Sequence, residues 1–237
     1  MANMRLFLWA LLIYSAVANV EKTIFVAPAA EPPPKDASVD SLLLTRLSEQ
    51  HPFVRTFLNA SFPTTDSPKG VEAWLLLEGI RPRRRYEVRI CWLATQPTSF
   101  WLYTRTVDRV FETPELLTSL SAYSYARRGQ LGAQDQKSLQ LRKADPIATD
   151  STFLFLQIFA AADYFSLNET LMAMVPPVAV DVILDPYIFN VFPKSLLPTG
   201  LYLLLIATGA WFLSGWISHL LAVTSVAGPG EETKKAK

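Results

Sequence analysis

A long apolar run near the C-terminus constrains this chain more than any other feature. Residues 201–223 read LYLLLIATGAWFLSGWISHLLAV and contain no Asp, Glu, Lys or Arg. At ~1.5 Å of rise per residue, a helix of this length crosses the ~30 Å hydrocarbon core of a bilayer. The sequence therefore predicts a transmembrane helix over residues 196–223, followed by a polar tail over residues 224–237.

The N-terminal residues predict which side of the membrane the bulk of the chain occupies. One positive charge precedes an apolar run over residues 6–17, and Ala16-Val17-Ala18 supplies the small residues of a cleavage site. We expect a signal peptide over residues 1–18, cleaved after Ala18, and a single-pass type I protein whose N-terminal domain is lumenal. The alternative is an uncleaved anchor, which gives two spans. In both cases the Lys-rich tail is cytosolic.

Short motifs agree with this topology. The tail ends in Lys234-Lys235-Ala236-Lys237, which resembles a dilysine retrieval signal of the endoplasmic reticulum. Two sequons, Asn59-Ala60-Ser61 and Asn168-Glu169-Thr170, lie in the translocated region, where N-glycosylation takes place. We therefore predict retrieval through Lys234 and Lys235 to the endoplasmic reticulum membrane, and glycosylation at Asn59 and Asn168.

Composition and motif content argue against several function classes. The formal net charge is +1 and no extended basic face is present, so the sequence gives no sign of a nucleic-acid partner. Of the two histidines, His51 precedes a proline and His219 lies in the apolar run. We find no Cys/His cluster with metal spacing, no G-x-S-x-G and no phosphate-binding glycine loop. The prediction is a protein that is not an enzyme and holds no metal or cofactor.

Three polar features leave alternatives open. Asp181 and Asp185 share one face of a predicted strand, where paired carboxylates serve acid-base chemistry, but a structural role is favoured and Asp185-Pro186 reads as the start of a turn. Cys91 is the single cysteine, so it is either a small buried hydrophobe or a cross-link to a partner. The arginines at 81 and 83–85 either solvate a turn or meet lipid phosphate or an acidic partner.

The translocated region, residues 19–195, predicts a mainly β domain. Residues 86–93 are the clearest strand, with Tyr86, Val88, Ile90 and Trp92 on one face. Weaker strand patterns cover residues 23–26, 73–77, 99–107, 153–160 and 178–184, and the last two are near-continuous apolar runs that predict burial on both faces.

Helices and loops account for the rest of that region. A short helix through Leu42, Leu43 and Leu47 is expected to be capped by Ser38 or Asp40 and to end before Pro52. A second helix is expected over residues 114–126. Residues 127–150 are polar and without period, so they predict a mobile insertion.

The segment IRPRRRYEVRI at residues 80–90 resembles the turn into strand F of fibronectin type III and related sandwiches. There a tyrosine hydroxyl bonds back to upstream backbone and forms a tyrosine corner, and Tyr86 matches that position. The alternative is an ordinary strand that begins with an aromatic residue. The predicted fold class is a lumenal β-sandwich, fibronectin III/Ig-like, plus one C-terminal transmembrane helix.

The apolar run also carries a stripe of small residues. Ala210, Ser214 and Ser218 are spaced four apart, which predicts a helix face that a partner helix can approach closely.

Two segments, RYEVRICWLATQPTSFW at residues 85–101 and DPYIFNVFPKSLLPTGLY at residues 185–202, resemble fungal proteins of the GPI-mannosyltransferase II co-activator family. These are proteins that process GPI anchors in the endoplasmic reticulum. The resemblance implies a non-catalytic subunit whose partner is the multi-spanning mannosyltransferase that adds the second mannose from dolichol-phosphate-mannose. The expected contacts are the stripe Ala210, Ser214 and Ser218 and the segment 185–198.

Two other function classes remain as alternatives. One is a cargo receptor of the early secretory pathway, or another chaperone or assembly factor of that membrane. Pro186, Pro193 and Pro198 argue against the membrane-proximal coiled coil that such receptors usually carry. The other is a lumenal glycan-processing enzyme, which the absence of a recognisable site disfavours.

Overall fold

The computed structural model describes residues 19–29, 39–130, 132 and 152–226. The predicted signal peptide, the tail lysines Lys234 and Lys235, and most of the predicted insertion lie outside these residues. The described chain is mainly β, with two sheets and one long C-terminal helix. It divides into two compact units, Met1–Val191 and Phe192–Lys237.

The first unit contains eight strands and three α-helices among its described residues. The strands are β1 (Val20–Val26), β2 (Thr45–Leu47), β3 (Phe53–Leu58), β4 (Val71–Ile80), β5 (Arg85–Trp92), β6 (Thr98–Thr106), β7 (Thr152–Ala162) and β8 (Val178–Ile188). The helices are α1 (Val107–Glu112), α2 (Pro114–Gln130) and α3 (Glu169–Ala173), with a 3-10 turn at Val39–Leu42. The second unit contains β9 (Phe192–Pro193), a 3-10 turn at Lys194–Leu196 and α4 (Leu197–Val226).

The strands of the first unit form two sheets with different connectivity. One sheet has the order β1-β5-β8-β3 and is antiparallel throughout. The other has the order β2-β4-β7-β6, with β2 parallel to β4 and the remaining pairs antiparallel. Neighbours in each sheet are distant in sequence, so long-range pairing builds the domain.

Both sheets contribute side chains to one shared core. Tyr86, Val88 and Ile90 point into it from β5, which confirms the alternation predicted for that strand. From β7, Leu154 and Leu156 join the same core. The opposite face of the second sheet is covered by α1 and α2, whose Val110 and Leu120 pack with Trp74, Leu76 and Phe155. The strand β7 is therefore buried on both faces, as its apolar run predicts.

The helix predicted through Leu42, Leu43 and Leu47 is wrong. The chain makes only a 3-10 turn to Leu42, passes through a left-handed conformation at Leu43 (φ 53°), and continues as β2. Pairing with β4 decides this, because it buries Leu47 completely and allows Arg46 to reach Glu78 at 3.1 Å. Tertiary pairing overrides the local preference of a leucine-rich segment.

Two expectations for β8 are also wrong. Only alternate residues, Val178 to Leu184, are buried, while the residues between them are half-buried, so the strand is not covered on both faces along its length. The Asp185-Pro186 pair does not begin a turn, because β8 continues to Ile188 with Pro186 opposite Tyr86. The pairing with β3 ends at Ile183, so the missing amide of Pro186 removes no bond on that side.

The helix predicted over residues 114–126 is longer than predicted. Helix α2 continues to Gln130, and Arg127 is fixed by hydrogen bonds from its guanidinium to the Leu43 carbonyl oxygen at 2.8 Å and to Thr45 Oγ1 at 2.7 Å. Residues 127–130 are therefore helical, and residues 133–150 lie outside the described part of the chain.

Candidate functional site

The strand registers give the first unit two distinct ends. At one end Tyr86 lies opposite Pro186, and the turn after Ile80 joins the two sheets. At the other end Trp92 lies opposite Val180. The loop that follows β3 and the loop between β7 and α3 carry the two sequons there. We name the first the basic end, formed by the turn 81–85 and the loop 189–191, and the second the sequon end, formed by the loops that carry Asn59 and Asn168.

Tyr86 anchors the basic end from inside the core. Its ring is fully buried and stacks on Phe25 with 5.7 Å between ring centroids. Its hydroxyl accepts a hydrogen bond from the Arg81 amide at 3.0 Å, five residues upstream, and donates one to the Glu49 carboxylate. Burial, together with the bond to Glu49, raises the pKa of Tyr86. The hydroxyl therefore links the turn, the strand and the segment before β3 while staying protonated.

The arginines of the turn have two different roles. Arg84 is turned inward: its Nη1 donates to both oxygens of Glu49 at 3.0 and 3.1 Å, and its Nε donates to the Tyr187 carbonyl at 3.2 Å. Arg81, Arg83 and Arg85 are exposed, although Arg81 Nε also lies 3.6 Å from Glu49 Oε1. The structure thus separates one structural arginine from three that face solvent, a division that the sequence run does not reveal.

Asn190 ties the arginine turn to the loop after β8. Its side-chain amide donates to the Arg83 carbonyl at 3.1 Å, and its Oδ1 accepts from the Arg85 amide at 2.8 Å. Phe189 and Asn190 both adopt left-handed backbone, with φ of 52° and 58°. Sequence analysis missed this contact, since Asn190 is more than a hundred positions from its partners and only its tolerance of positive φ hints at a special role.

A second polar cluster covers the outer face of the first sheet. Glu87 and Asp185 lie directly opposite each other on β5 and β8, and both are almost completely buried. Arg89 lies 3.4 Å from Asp185, and Lys22 lies 3.3 Å from Glu87. The Tyr187 hydroxyl donates to Glu87 at 3.3 Å, and burial with the neighbouring carboxylate raises the pKa of Tyr187. The carboxylates are matched by cations, so the cluster serves strand pairing.

Asp181 and Cys91 lie further along the same face. Both oxygens of Asp181 accept hydrogen bonds from Arg55 at 2.7 Å, and this interaction lowers the pKa of the carboxyl group. The structure does not bring Asp181 and Asp185 together as an acid-base pair, since each has its own arginine. Cys91 is opposite Asp181 and half-buried, and desolvation raises the pKa of its thiol.

The sequon end presents both predicted glycosylation sites to solvent. Asn59 follows β3 and is exposed, and it lines a cavity of about 640 Å³ between the sheets' edge and α2, together with Glu72, Tyr123 and Arg127. Asn168 is exposed and caps α3, because its Oδ1 accepts from the Thr170 amide at 3.0 Å. Both side chains are therefore accessible at the same end of the domain.

Helix α4 is long and apolar enough to cross a membrane. The apolar stretch covers Lys194–Ala222, and its side chains are exposed throughout. The small residues Ala210, Ser214 and Ser218 follow one side of the helix, drifting by ~40° for each step of four residues. Thr208 satisfies its own hydroxyl by donating to the Leu204 carbonyl at 2.8 Å. The stripe is thus available on the surface of the helix, and His219 lies on the same helix.

Within the described ranges, no group of three or more His, Cys, Asp or Glu side chains is arranged to hold a metal ion. Comparison of the chain with protein-family models, curated proteins and solved structures gives no match.

Proposed function

We propose that this chain is a non-catalytic subunit of the GPI mannosyltransferase II of the endoplasmic reticulum, where it supports addition of the second mannose to the GPI precursor. The observation that carries the proposal is the resemblance of residues 85–101 and 185–202 to the co-activator family. The first residues of these segments are neighbours in the fold, because β5 pairs with β8 and Glu87 lies opposite Asp185. Residues 86–87 and 185–186, about a hundred positions apart in sequence, thus lie side by side at the basic end.

The proposal includes a location and a domain type. The N-terminal unit is lumenal and the tail is cytosolic, as the signal peptide and the dilysine motif predict. Its two sheets form a sandwich of the fibronectin III/Ig-like type, with Tyr86 as the tyrosine corner. The bond from the Arg81 amide to the Tyr86 hydroxyl supports that role.

The partner in this proposal is the multi-spanning catalytic subunit, which docks on the small-residue stripe of α4. Small side chains let two helix backbones approach closely, and serine hydroxyls donate hydrogen bonds across such contacts. Ala210, Ser214 and Ser218 supply both properties on one side of the helix. Residues 185–198, which run from the end of β8 to the first residues of α4, are the second expected contact.

Depletion of the chain tests the function directly. We expect a mono-mannosylated GPI precursor to accumulate, detected by lipid extraction and mass spectrometry, and to disappear when the wild-type chain is restored. Normal GPI lipids with delayed export of selected cargo would assign the protein to the receptor class instead. Altered N-glycans with normal GPI lipids would assign it to glycan processing.

A second experiment tests the docking face. Ser214→Leu is expected to reduce co-purification with the mannosyltransferase about ten-fold, because the bulky side chain blocks close helix approach. Gly209→Leu is the matched control: it lies roughly 140° around the axis from Ser214, and an added Cβ there meets no atom within 4 Å. Equal recovery of the mannosyltransferase with both variants would contradict docking through this stripe.

A further inference from the structure

The basic end combines exposed cations with exposed apolar side chains. Arg81, Arg83 and Arg85 face solvent from the turn between β4 and β5. Beside them the side chains of Phe189 and Val191 are 94% and 77% exposed. Large apolar residues exposed to this degree on a structured loop mark a contact surface when cations surround them.

This arrangement is fixed by hydrogen bonds. Asn190 binds the backbone of Arg83 and of Arg85, so the loop and the turn hold a constant spacing. Phe189, Asn190 and Arg83 all have positive φ, which costs free energy in residues other than glycine. The backbone is held in these conformations while Phe189 remains outside the core. The loop geometry therefore does not serve to bury Phe189 within the domain.

Chain connectivity limits how far this surface lies from the bilayer. Val191 is three residues before Lys194, the first residue of the helical segment that is long and apolar enough to cross a membrane. Three extended residues reach about 10 Å, so Val191 cannot lie further than this from the start of the membrane span. At that depth, arginine side chains meet lipid phosphates and apolar side chains meet the boundary between headgroups and acyl chains.

We propose that the basic end docks on phospholipid headgroups, with Phe189 and Val191 inserted at the headgroup boundary and Arg81, Arg83 and Arg85 bound to lipid phosphates. This goes beyond the proposed function, since it holds for any partner of α4. Asn59 and Asn168 lie at the opposite end of the first unit. The eleven residues of β8 span roughly 35 Å between the two ends.

Lipid quenching of single labels tests the proposal in the full chain. In a Cys91→Ser background, which removes the single cysteine, Phe189→Cys and Leu167→Cys are each labelled with NBD. Leu167 is the matched control because it is 91% exposed and lies in the sequon-end loop between β7 and α3. Each labelled chain is reconstituted in vesicles of phosphatidylcholine and phosphatidylserine that contain headgroup nitroxide lipids.

We expect strong quenching at position 189 and none at position 167. Equal and weak quenching at both positions would overturn the proposal. A second result would also overturn it: no quenching at position 189 in the vesicles, together with protection of position 189 from thiol reagents in native membranes. That result would assign the surface to a protein partner.

A charge-removal variant tests the arginine contribution in the same assay. Arg83→Gln/Arg85→Gln keeps the backbone groups that bind Asn190 and is expected to shift docking about 30-fold toward the undocked state in phosphatidylserine vesicles. Lys69→Gln removes one cation outside the basic end and is expected to leave quenching at position 189 unchanged. An identical response of both variants would show that the arginines of the basic end do not bind lipid phosphate.

Discussion

The basic end and the sequon end are built from the same strands, yet their loops are held in different ways. At the basic end, Arg84 donates hydrogen bonds to Glu49 and to the Tyr187 carbonyl. The Tyr86 hydroxyl and the Asn190 side chain bond to the backbone of the arginine turn. At the sequon end, Asn168 bonds only within its own loop and caps a five-residue helix. The polar contacts of the basic end converge on the mostly buried Glu49. The sequon end also has long-range bonds, such as those of Gln96 to the Pro177 carbonyl and from the Ala179 amide, but they do not share a buried carboxylate.

The two ends are expected to differ most in the stability that is lost when a carboxylate is removed. Glu49→Ala leaves Arg84 and the Tyr86 hydroxyl without their acceptor in a mostly buried site, so we expect a loss of about 3 kcal/mol in the free energy of unfolding. Asp163→Ala at the sequon end removes an exposed acceptor of Ser99 and should cost about 0.5 kcal/mol or less. Urea unfolding of the full chain in detergent, followed by tryptophan fluorescence, measures both. Similar losses would show that the ends are equally dependent on polar contacts.

Tyr86→Phe is expected to cause the next largest loss in the free energy of unfolding. The variant loses the bond from the Arg81 amide and the bond to Glu49, and we expect a loss of about 2 kcal/mol at neutral pH. The pKa of Tyr86 is raised in the folded state, so this contribution is fully present below pH ~10, where the unfolded tyrosine begins to ionise, and declines as the pH rises further.

The stability difference between wild type and Tyr86→Phe should therefore shrink above pH ~10. Tyr125→Phe is the control, because Tyr125 is 81% exposed and its removal should change neither the stability nor its alkaline dependence. A constant difference between wild type and Tyr86→Phe up to pH ~12 would mean that the folded domain does not shift the ionisation of Tyr86.

Two asparagines allow a matched comparison between the ends. Asn190→Ala loses two hydrogen bonds to backbone and places alanine in left-handed backbone, so we expect a loss of about 1.5 kcal/mol. Asn168→Ala loses only a helix cap, at about 0.5 to 1 kcal/mol. Both are measured by thermal unfolding of unglycosylated protein. A larger loss of stability for Asn168→Ala than for Asn190→Ala would show that the sequon end, not the basic end, depends more on its asparagine hydrogen bonds.

The smallest effect is expected at Asp181, on the strand face between the two ends. Its pair with Arg55 is largely exposed, so Asp181→Asn should cost about 0.5 kcal/mol near pH 7. The pKa of Asp181 is lowered by Arg55, so the contribution is present above the unfolded value of ~3.9 and is lost as the pH falls below it. Stability curves of wild type and variant should therefore converge in acid. A difference that persists at pH ~2 would exclude the ion pair as its cause.

Local sequence patterns predicted most strands but not their limits. The alternation in β5 and the apolar run in β7 are visible in sequence because each residue's exposure follows the strand period. Strand β3 was missed because Phe53 and Phe57 point to solvent, at 52% and 70% exposure, and this inverts the expected pattern. The continuation of β8 through Pro186 was missed because proline is tolerated there only through the particular strand order.

The candidate surfaces also differ in whether the local sequence alone predicts them. The small-residue stripe of α4 follows from helical spacing and needs no tertiary information. The split of the arginine turn into an inward Arg84 and three exposed arginines depends on Glu49, which is 35 positions from Arg84. The exposure of Phe189 depends on Asn190 and its bonds across more than a hundred positions.

The sequence by itself determined the helix that is long and apolar enough to cross a membrane, the clearest strands and the two sequons, because each is encoded by residues within one short segment. Only the tertiary structure decided that Glu87 and Asp185 lie side by side and that the arginine turn meets the loop after β8. The physical reason is that strand order brings together groups that no local period relates. Their charges and hydrogen bonds are matched only once the sheets have formed.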